Sequence, residues 1–148
     1  MNKKEYCVGF AFIRTLDGER VVLIRKKKPE WQNGLLNGVG GKVEDGETAR
    51  QAMAREFSEE AGVHTRAEDW RSVTEMHFLD CVVYCFATVL PDLPSMTPRT
   101  MTREEIVVLR EGSFIKSGMI PNLLWLVPMA GLVLGNKKQF VPGVTSGF

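Results

Sequence analysis

Residues 41–63 read GKVEDGETARQAMAREFSEEAGV, a glycine-rich entry followed by acidic, small and apolar residues at helical spacing. At about 100° per residue, Glu56, Glu59 and Glu60 fall within an arc of roughly 100° on one helix. Like charges at this spacing destabilise a helix by about 0.2–0.5 kcal/mol per pair, so helix stability does not explain the arrangement. The cluster is therefore either a solvated acidic face or a set of cation ligands.

The residues around the cluster favour the cation. Met53, Phe57 and Ala61 form an apolar stripe that would dock the predicted helix on a sheet. Ala49 and Ala52 share the arc of the glutamates and are too small to screen the carboxylates. Carboxylate oxygens are the ligands that hard divalent ions prefer, and Mg²⁺ combines a few of them with substrate phosphates.

Upstream of the helix, glycines allow positive φ and a close approach of the backbone to a ligand. They are Gly38, Gly40, Gly41 and Gly46. Thr48 and Gln51 form a candidate capping box at the helix start, with Asp45 as the alternative cap. A loop that enters a helix offers unpaired N–H groups and a positive dipole end, which suit anions.

The stretch resembles the Nudix box, Gly-x5-Glu-x7-Arg-Glu-U-x-Glu-Glu-x-Gly-U, where U is a bulky aliphatic or aromatic residue, and it matches at every position. The resemblance implies an α/β fold, the Nudix α/β/α sandwich with a central mixed β-sheet, as a single domain over residues 1–148. It also implies a hydrolase of phosphoanhydride bonds that depends on Mg²⁺, with Mn²⁺ as a substitute.

The metal ligands follow from the same resemblance. Glu56, Glu59 and Glu60 look like the carboxylate ligands, and the backbone carbonyl near Gly41 looks like a further one. Divalent ions bridge substrate phosphates and lower the pKa of an attacking water, which is what hydrolysis of a diphosphate linkage needs.

The remaining catalytic candidates surround these ligands. Arg55 would orient the glutamates through charge-assisted hydrogen bonds, and Glu47 would support them or bind a further ion. The general base stays open between Glu59 and a loop glutamate. For the loop position the candidates are Glu104 and Glu105, with a solvated strand entry as their alternative role.

Phosphate binding needs cations near the box. We expect Arg25, at the end of a predicted strand, and Lys42, inside the glycine loop, to supply them. The lysine run 26–28 is predicted to be a solvated stretch, with attraction of a polyphosphate as the alternative.

The segment before the box, and a later proline-flanked helix, resemble MutT-like enzymes and the Nudix enzymes that hydrolyse oxidised purine nucleoside triphosphates. Asn37 matches an asparagine that contacts the purine there. Asn122 and Leu123 stand where those enzymes carry an aspartate pair, which makes a preference for oxidised purines doubtful. Trp125 is predicted either to stack on a base or to belong to the helix core.

The predicted reaction is hydrolysis of a nucleoside (deoxy)triphosphate to the monophosphate and pyrophosphate, in the sense of a nucleotide-pool sanitising enzyme. Two alternatives stay open: a hydrolase of another nucleoside diphosphate derivative, such as a dinucleoside polyphosphate or nucleotide sugar, and a non-catalytic nucleotide sensor. The ADP-ribose type is disfavoured because no proline occurs between Pro29 and Pro91.

Composition sets the remaining expectations. The net charge of the 148 residues is +1, so no overall field favours a nucleic acid or a membrane as partner. The three cysteines show no zinc spacing and are read as thiols of a reducing compartment. With no signal peptide indicated, we expect a cytoplasmic monomer or homodimer that binds a small nucleotide.

Alternating patterns predict strands joined by short turns, and helices at two places. Strands are expected at 6–14, 20–25, 73–79, 81–90 and 106–109, and a terminal helix at 121–134. Asp17-Gly18 is a hairpin signal, and Phe140 is a candidate start of a last strand.

Overall fold

The computed structural model describes residues 3–110, 113 and 118–135. Within these residues, seven strands form one mixed sheet and two α-helices pack on it. The strands are β1 Lys4–Thr15, β2 Gly18–Arg25, β3 Leu36–Asn37, β4 Val39–Lys42, β5 Arg71–His77, β6 Cys81–Leu90 and β7 Glu105–Arg110. The helices are α1 Ala49–Ala61 and α2 Leu123–Gly135.

The sheet is built around β1. Its order is β3-β2-β1-β6-β5, with β4 also paired to β1 and β7 also paired to β2. β1 and β6 run parallel, whereas the other strand pairs are antiparallel. A parallel pair needs a long crossover, and the chain between β1 and β6 contains α1.

Side chains of β1 alternate between two hydrophobic cores, one on each face of the sheet. Val8, Phe10 and Phe12 point into the core that α2 covers. Cys7 and Ala11 point into the core that α1 covers. Because successive residues of a strand face opposite sides, one strand serves both layers. The predicted α/β/α sandwich with a mixed sheet is confirmed.

The helix α1 begins and ends as its sequence indicates. Thr48 is the N-cap: its side chain accepts from the N–H of Gln51, and the Gln51 side chain accepts from the N–H of Thr48. The alternative cap, Asp45, is not used. Gly62 closes the helix with a φ of 69°, a conformation that glycine adopts without strain.

The predicted strands and the terminal helix are present, with ends that shift by up to two residues. The approach 36–43 forms two strands with different partners. The chain crosses from β2 to β1 at Gly38, where a Cβ would lie 2.7 Å from Val8 Cγ2. Phe140 lies outside the described residues. In the part of the chain that is described, neither helix is long enough to cross a membrane.

Candidate active site

The helix α1 is held by the predicted apolar stripe. Met53, Phe57 and Ala61 are fully buried, and the ring of Phe57 meets Trp70 edge-on at 5.2 Å between centroids. Ala52 is fully buried as well. Ala52 shares the arc of the glutamates, as predicted, and its small side chain is covered because α1 packs on the glycine strand β4.

This packing brings the glutamates against the glycine strand. A Cβ on Gly41 would collide with the carboxylate of Glu56, whose Cδ lies 2.6 Å from that position. The Glu56 side chain is only 13% exposed. Gly41 therefore leaves the space that the Glu56 carboxylate occupies, at the junction between β4 and the loop that leads to α1.

Arg55 lies between the carboxylates of the box. Its guanidinium donates to both oxygens of Glu47, at 2.7 and 3.1 Å. It also donates to Glu56 at 3.0 Å, to Glu59 at 3.2 Å and to the backbone carbonyl of Lys42 at 3.0 Å. The hydrogen bond from Arg55 is the main reason why the pKa of Glu47 lies below its usual value. Arg55 thus joins the loop to three glutamates of α1 and its entry.

Glu60 is the most perturbed carboxyl group of the cluster. Burial, followed by the negative charge of Glu56, raises the pKa of Glu60 to about 8. Burial also raises the pKa of Glu56, although Arg55 opposes this. The Oε2 atom of Glu60 is buried and has no hydrogen-bond partner among the described residues. Two largely buried carboxyl groups side by side, one with an unpaired oxygen among the described residues, form a site with an excess of acceptor atoms.

A divalent cation fits this arrangement. It would satisfy the buried Oε2 of Glu60 and neutralise the charges of Glu56 and Glu60 together. No three acidic, histidine or cysteine side chains of the described residues already converge on one point. Glu59 is turned toward Arg55 and is 57% exposed, so a rotation of its side chain is needed to bring it to the other two.

The structure separates the two loop candidates. Glu104 is 12% exposed and accepts from Lys26 Nζ at 3.0 Å and from the N–H of Lys27 at 2.7 Å. Burial would raise its pKa, but these donors outweigh burial and the pKa of Glu104 lies below its usual value. The charge of Glu104 acts on Glu60. Glu105 is exposed, and its backbone pairs with Arg25 between β7 and β2.

The prediction of a solvated lysine run is wrong for its first member. The Lys26 side chain is 17% exposed because it pairs with Glu104, whereas Lys27 and Lys28 are exposed. One feature of the sequence indicates this burial: Lys26 directly follows the last residue of the buried strand β2. Its partner lies 78 residues away and cannot be found from local pattern.

The two asparagines proposed to read the base come from segments that the fold brings together. Leu36 donates its N–H to Gly118 at 3.0 Å, and Ile120 donates to Leu36 at 2.9 Å. Asn37 directly follows Leu36, and Asn122 follows Ile120 by two residues. Both side chains are half-buried.

The side chains of these asparagines differ in their local contacts. Asn37 donates to Gln32 at 3.1 Å and accepts from the N–H of Gly38 at 2.7 Å. Asn122 Nδ2 lies 3.9 Å from the sulfur of Met76. Trp125 is partly buried against the core under α2. An amide has two donor hydrogens and two acceptor lone pairs, so the contacts with described residues leave part of the hydrogen-bonding capacity of both asparagines unused.

The two cation candidates lie at different places around the box. Arg25 is half-buried and donates to the carbonyl of Gly34 at 3.0 Å. Lys42 is exposed at the end of β4, and its own carbonyl accepts from Arg55. The backbone of Lys42 thus contacts the carboxylate cluster through Arg55.

A family model described as NUDIX domain matches residues 5–116, which is most of the chain. The chain belongs to the Nudix family. The prediction of a Nudix pyrophosphohydrolase is confirmed at the level of this family, in which divalent metal ions are generally used. No curated protein matches the chain significantly.

Solved structures of other Nudix proteins share the fold. The NUDIX domain of Shewanella oneidensis NrtR, complexed with ADP ribose, superimposes with a TM-score of 0.76 at 12% identity, over 90% of each chain. MutT from Aliivibrio salmonicida and Vibrio cholerae gives a TM-score of 0.70 at 18% identity, over 88% of this chain and 98% of the other.

A third similar structure belongs to a longer protein. The bifunctional NMN adenylyltransferase/ADP ribose pyrophosphatase of Francisella tularensis, complexed with AMP and a Mn ion, gives a TM-score of 0.67 at 16% identity. The match covers 90% of this Nudix chain but only 42% of that protein. At these identities the three structures establish the fold and leave the substrate open.

Proposed function

We propose that this Nudix protein hydrolyses a nucleoside (deoxy)triphosphate to the monophosphate and pyrophosphate with Mg²⁺, for which Mn²⁺ substitutes. The observation that carries the proposal is the buried Oε2 of Glu60, which has no hydrogen-bond partner among the described residues. It lies beside Glu56, at a glycine strand that leads into a helix. An excess of buried carboxylate oxygens at that junction suits a cation that arrives with substrate phosphates.

In this proposal Glu56, Glu59 and Glu60, with the carbonyl of Gly41, hold the metal. When bound, the ion neutralises phosphate charge and lowers the pKa of the attacking water. Arg55 keeps the glutamates apart and oriented while the metal is absent, since it already bonds to Glu56 and Glu59.

The substrate would approach from the side of the glycine strand. Lys42 is exposed beside the cluster and supplies a cation for the phosphates, and Arg25 supplies a second one from the end of β2. Asn37 and Asn122 read the base through their amide groups, and Trp125, three residues after Asn122, is the candidate to stack on it. The water would lose its proton to Glu104 or to Glu59, of which Glu104 is held by two donors.

Substitution of one proposed metal ligand tests the mechanism. Glu59→Gln keeps the shape of an exposed side chain, so the fold and the thermal midpoint should stay close to those of the wild type. We expect Mg²⁺-dependent turnover to fall by at least about 100-fold, because a positioned anion is lost from the reaction centre. Near-normal turnover by a folded Glu59→Gln variant would remove Glu59 from the metal site.

A substrate screen tests the proposed class of nucleotide. It compares canonical and oxidised nucleoside triphosphates, dinucleoside polyphosphates, nucleotide sugars and ADP-ribose, with the products identified. Asn37→Ala and Asn122→Ala should change the ranking among bases, whereas Lys42→Ala should slow all triphosphates alike. A uniform loss in both asparagine variants would contradict base reading.

The cytoplasmic location and the monomer or homodimer stay predictions, as does the absence of a nucleic-acid partner.

A further inference from the structure

Lys26 is a largely buried cation that the reaction, as proposed above, does not use. Its Nζ lies 3.0 Å from Glu104 Oε1, and both side chains are less than a fifth exposed. Ion pairs at that burial are uncommon in a protein, because the desolvation of both charges offsets most of their attraction. A buried pair beside a carboxylate cluster therefore needs a reason other than stability.

The geometry holds the Glu104 carboxylate at both of its oxygens. Lys26 Nζ donates to Oε1, and the backbone N–H of Lys27 donates to Oε2 at 2.7 Å. Two donors on the two oxygens define the plane of the carboxylate as well as its position. The pairing of β2 with β7, in which Arg25 lies opposite Glu105, sets the two segments side by side.

Both members of the pair lie within electrostatic range of the box. The negative charge of Glu104 and the positive charge of Lys26 each act on Glu60. Without Lys26, the negative charge of Glu104 would act on the acidic cluster uncompensated, and repulsion would drive the carboxylate away from it. Lys26 is thus the cation that allows a fourth carboxylate to stay close to the metal-binding glutamates.

We propose that Lys26 is the positioning residue that holds Glu104 for proton transfer in the Nudix reaction. This inference rests on the proposed function and adds to it the choice of Glu104 over Glu59 as the group that takes the proton. Lys26 acts through Glu104 and does not itself contact the phosphates. Loss of a supporting partner of this kind typically costs 10- to 100-fold in activity.

A double-mutant cycle on the full chain tests the inference. Lys26→Met should lower kcat by about 10- to 100-fold while KM changes by less than about 3-fold, since substrate binding is not touched. Lys26→Met added to Glu104→Gln should cause no further loss, because the two residues act as one unit. Lys26→Arg should restore most of kcat, because it keeps the charge and the donor.

Lys3→Met is the matched control. It replaces an exposed lysine whose Nζ donates to the carbonyl of Phe78, so wild-type kcat and KM are expected. Thermal unfolding of every variant separates positioning from folding. If Lys26→Met does not fold, Lys26→Gln takes its place in the cycle. It removes the positive charge but keeps a donor, so a smaller loss of kcat than for Lys26→Met is expected, again without further loss in Glu104→Gln.

The kinetic results separate a positioning role of Lys26 from a role in phosphate binding. A raised KM with unchanged kcat, or a loss that adds to that of Glu104→Gln, would assign Lys26 to the phosphates and overturn the inference. If the wild type is active and a folded Lys26→Met is equally active, the inference about Lys26 is overturned while the proposed function stands. A wild type without turnover on any nucleotide in the screen would overturn the proposed function, and this inference with it.

Discussion

Replacement of Gly41 by alanine adds one methyl group at the point where the glycine strand touches α1. The new Cβ would lie 2.6 Å from Glu56 Cδ and 2.9 Å from Glu56 Oε2, whereas ordinary contacts begin near 3.4 Å. The carboxylate must therefore retreat by about 1 Å. The backbone itself tolerates alanine, because Gly41 is not among the glycines with positive φ.

The size of the effect follows from which atoms must move. The displaced atoms are the end of a flexible side chain, so the free energy of unfolding should fall by no more than about 1–2 kcal/mol. A misplacement of about 1 Å in a reacting group costs on the order of 100-fold in rate. We expect Gly41→Ala to fold, to lose about 100-fold in kcat/KM and to require more Mg²⁺ for half-maximal turnover.

Thermal unfolding and turnover over a Mg²⁺ titration measure these effects. Gly131→Ala is the control: it lies inside α2, its Cβ meets nothing within 4 Å, and it should gain up to about 1 kcal/mol with unchanged turnover. Gly40→Ala is the contrast, because its Cβ would collide with the Cys7 carbonyl, a backbone atom, and should impair folding. Wild-type turnover at the wild-type Mg²⁺ requirement in Gly41→Ala would refute the reasoning.

Two further predictions concern the helix α1. In metal-free protein the folded state keeps a proton on Glu60 up to a pKa of about 8, whereas the unfolded chain releases it near 4.5. The free energy of unfolding should therefore fall as the pH rises from about 5 to 8, by at least about 1 kcal/mol, and Glu60→Gln should flatten this slope. Urea unfolding with chelator at about pH 5 and pH 8 measures this change. If the free energy of unfolding depends on pH identically in the wild type and in Glu60→Gln, Glu60 is not the group that titrates. Phe57→Ala removes a fully buried ring that meets Trp70 and should cost about 3–5 kcal/mol in urea unfolding, while a loss below about 1 kcal/mol would mean that α1 is held by other contacts.

The local features of the chain can be predicted from the sequence, because they depend on residues that are close together along the chain. The capping box at Thr48, the αL closure at Gly62 and the buried stripe of Met53 and Phe57 follow from the helical period and from the chemistry of helix ends. Five of the seven described strands follow from alternation, to within two residues at their ends, whereas β3 and β4 were not predicted as strands.

Contacts between distant segments could not be read in this way. Helical spacing placed Ala52 beside the glutamates but could not show that β4 covers that side of the helix. Asn37 and Asn122 were singled out by resemblance, and only the pairing of Leu36 with Gly118 and Ile120 places their segments together.

The sequence by itself therefore determined the family, the sandwich fold and the order of the box residues, since these lie in a contiguous, periodic stretch. The tertiary structure decided which residues from other segments lie close to the box. It showed that Glu104, and not Glu105, lies near the carboxylate cluster. It also showed that Lys26 is shielded from solvent, because Lys26 pairs with Glu104, 78 residues away. Such a pair depends on strand register and burial, and neither is encoded in the spacing of residues along one segment.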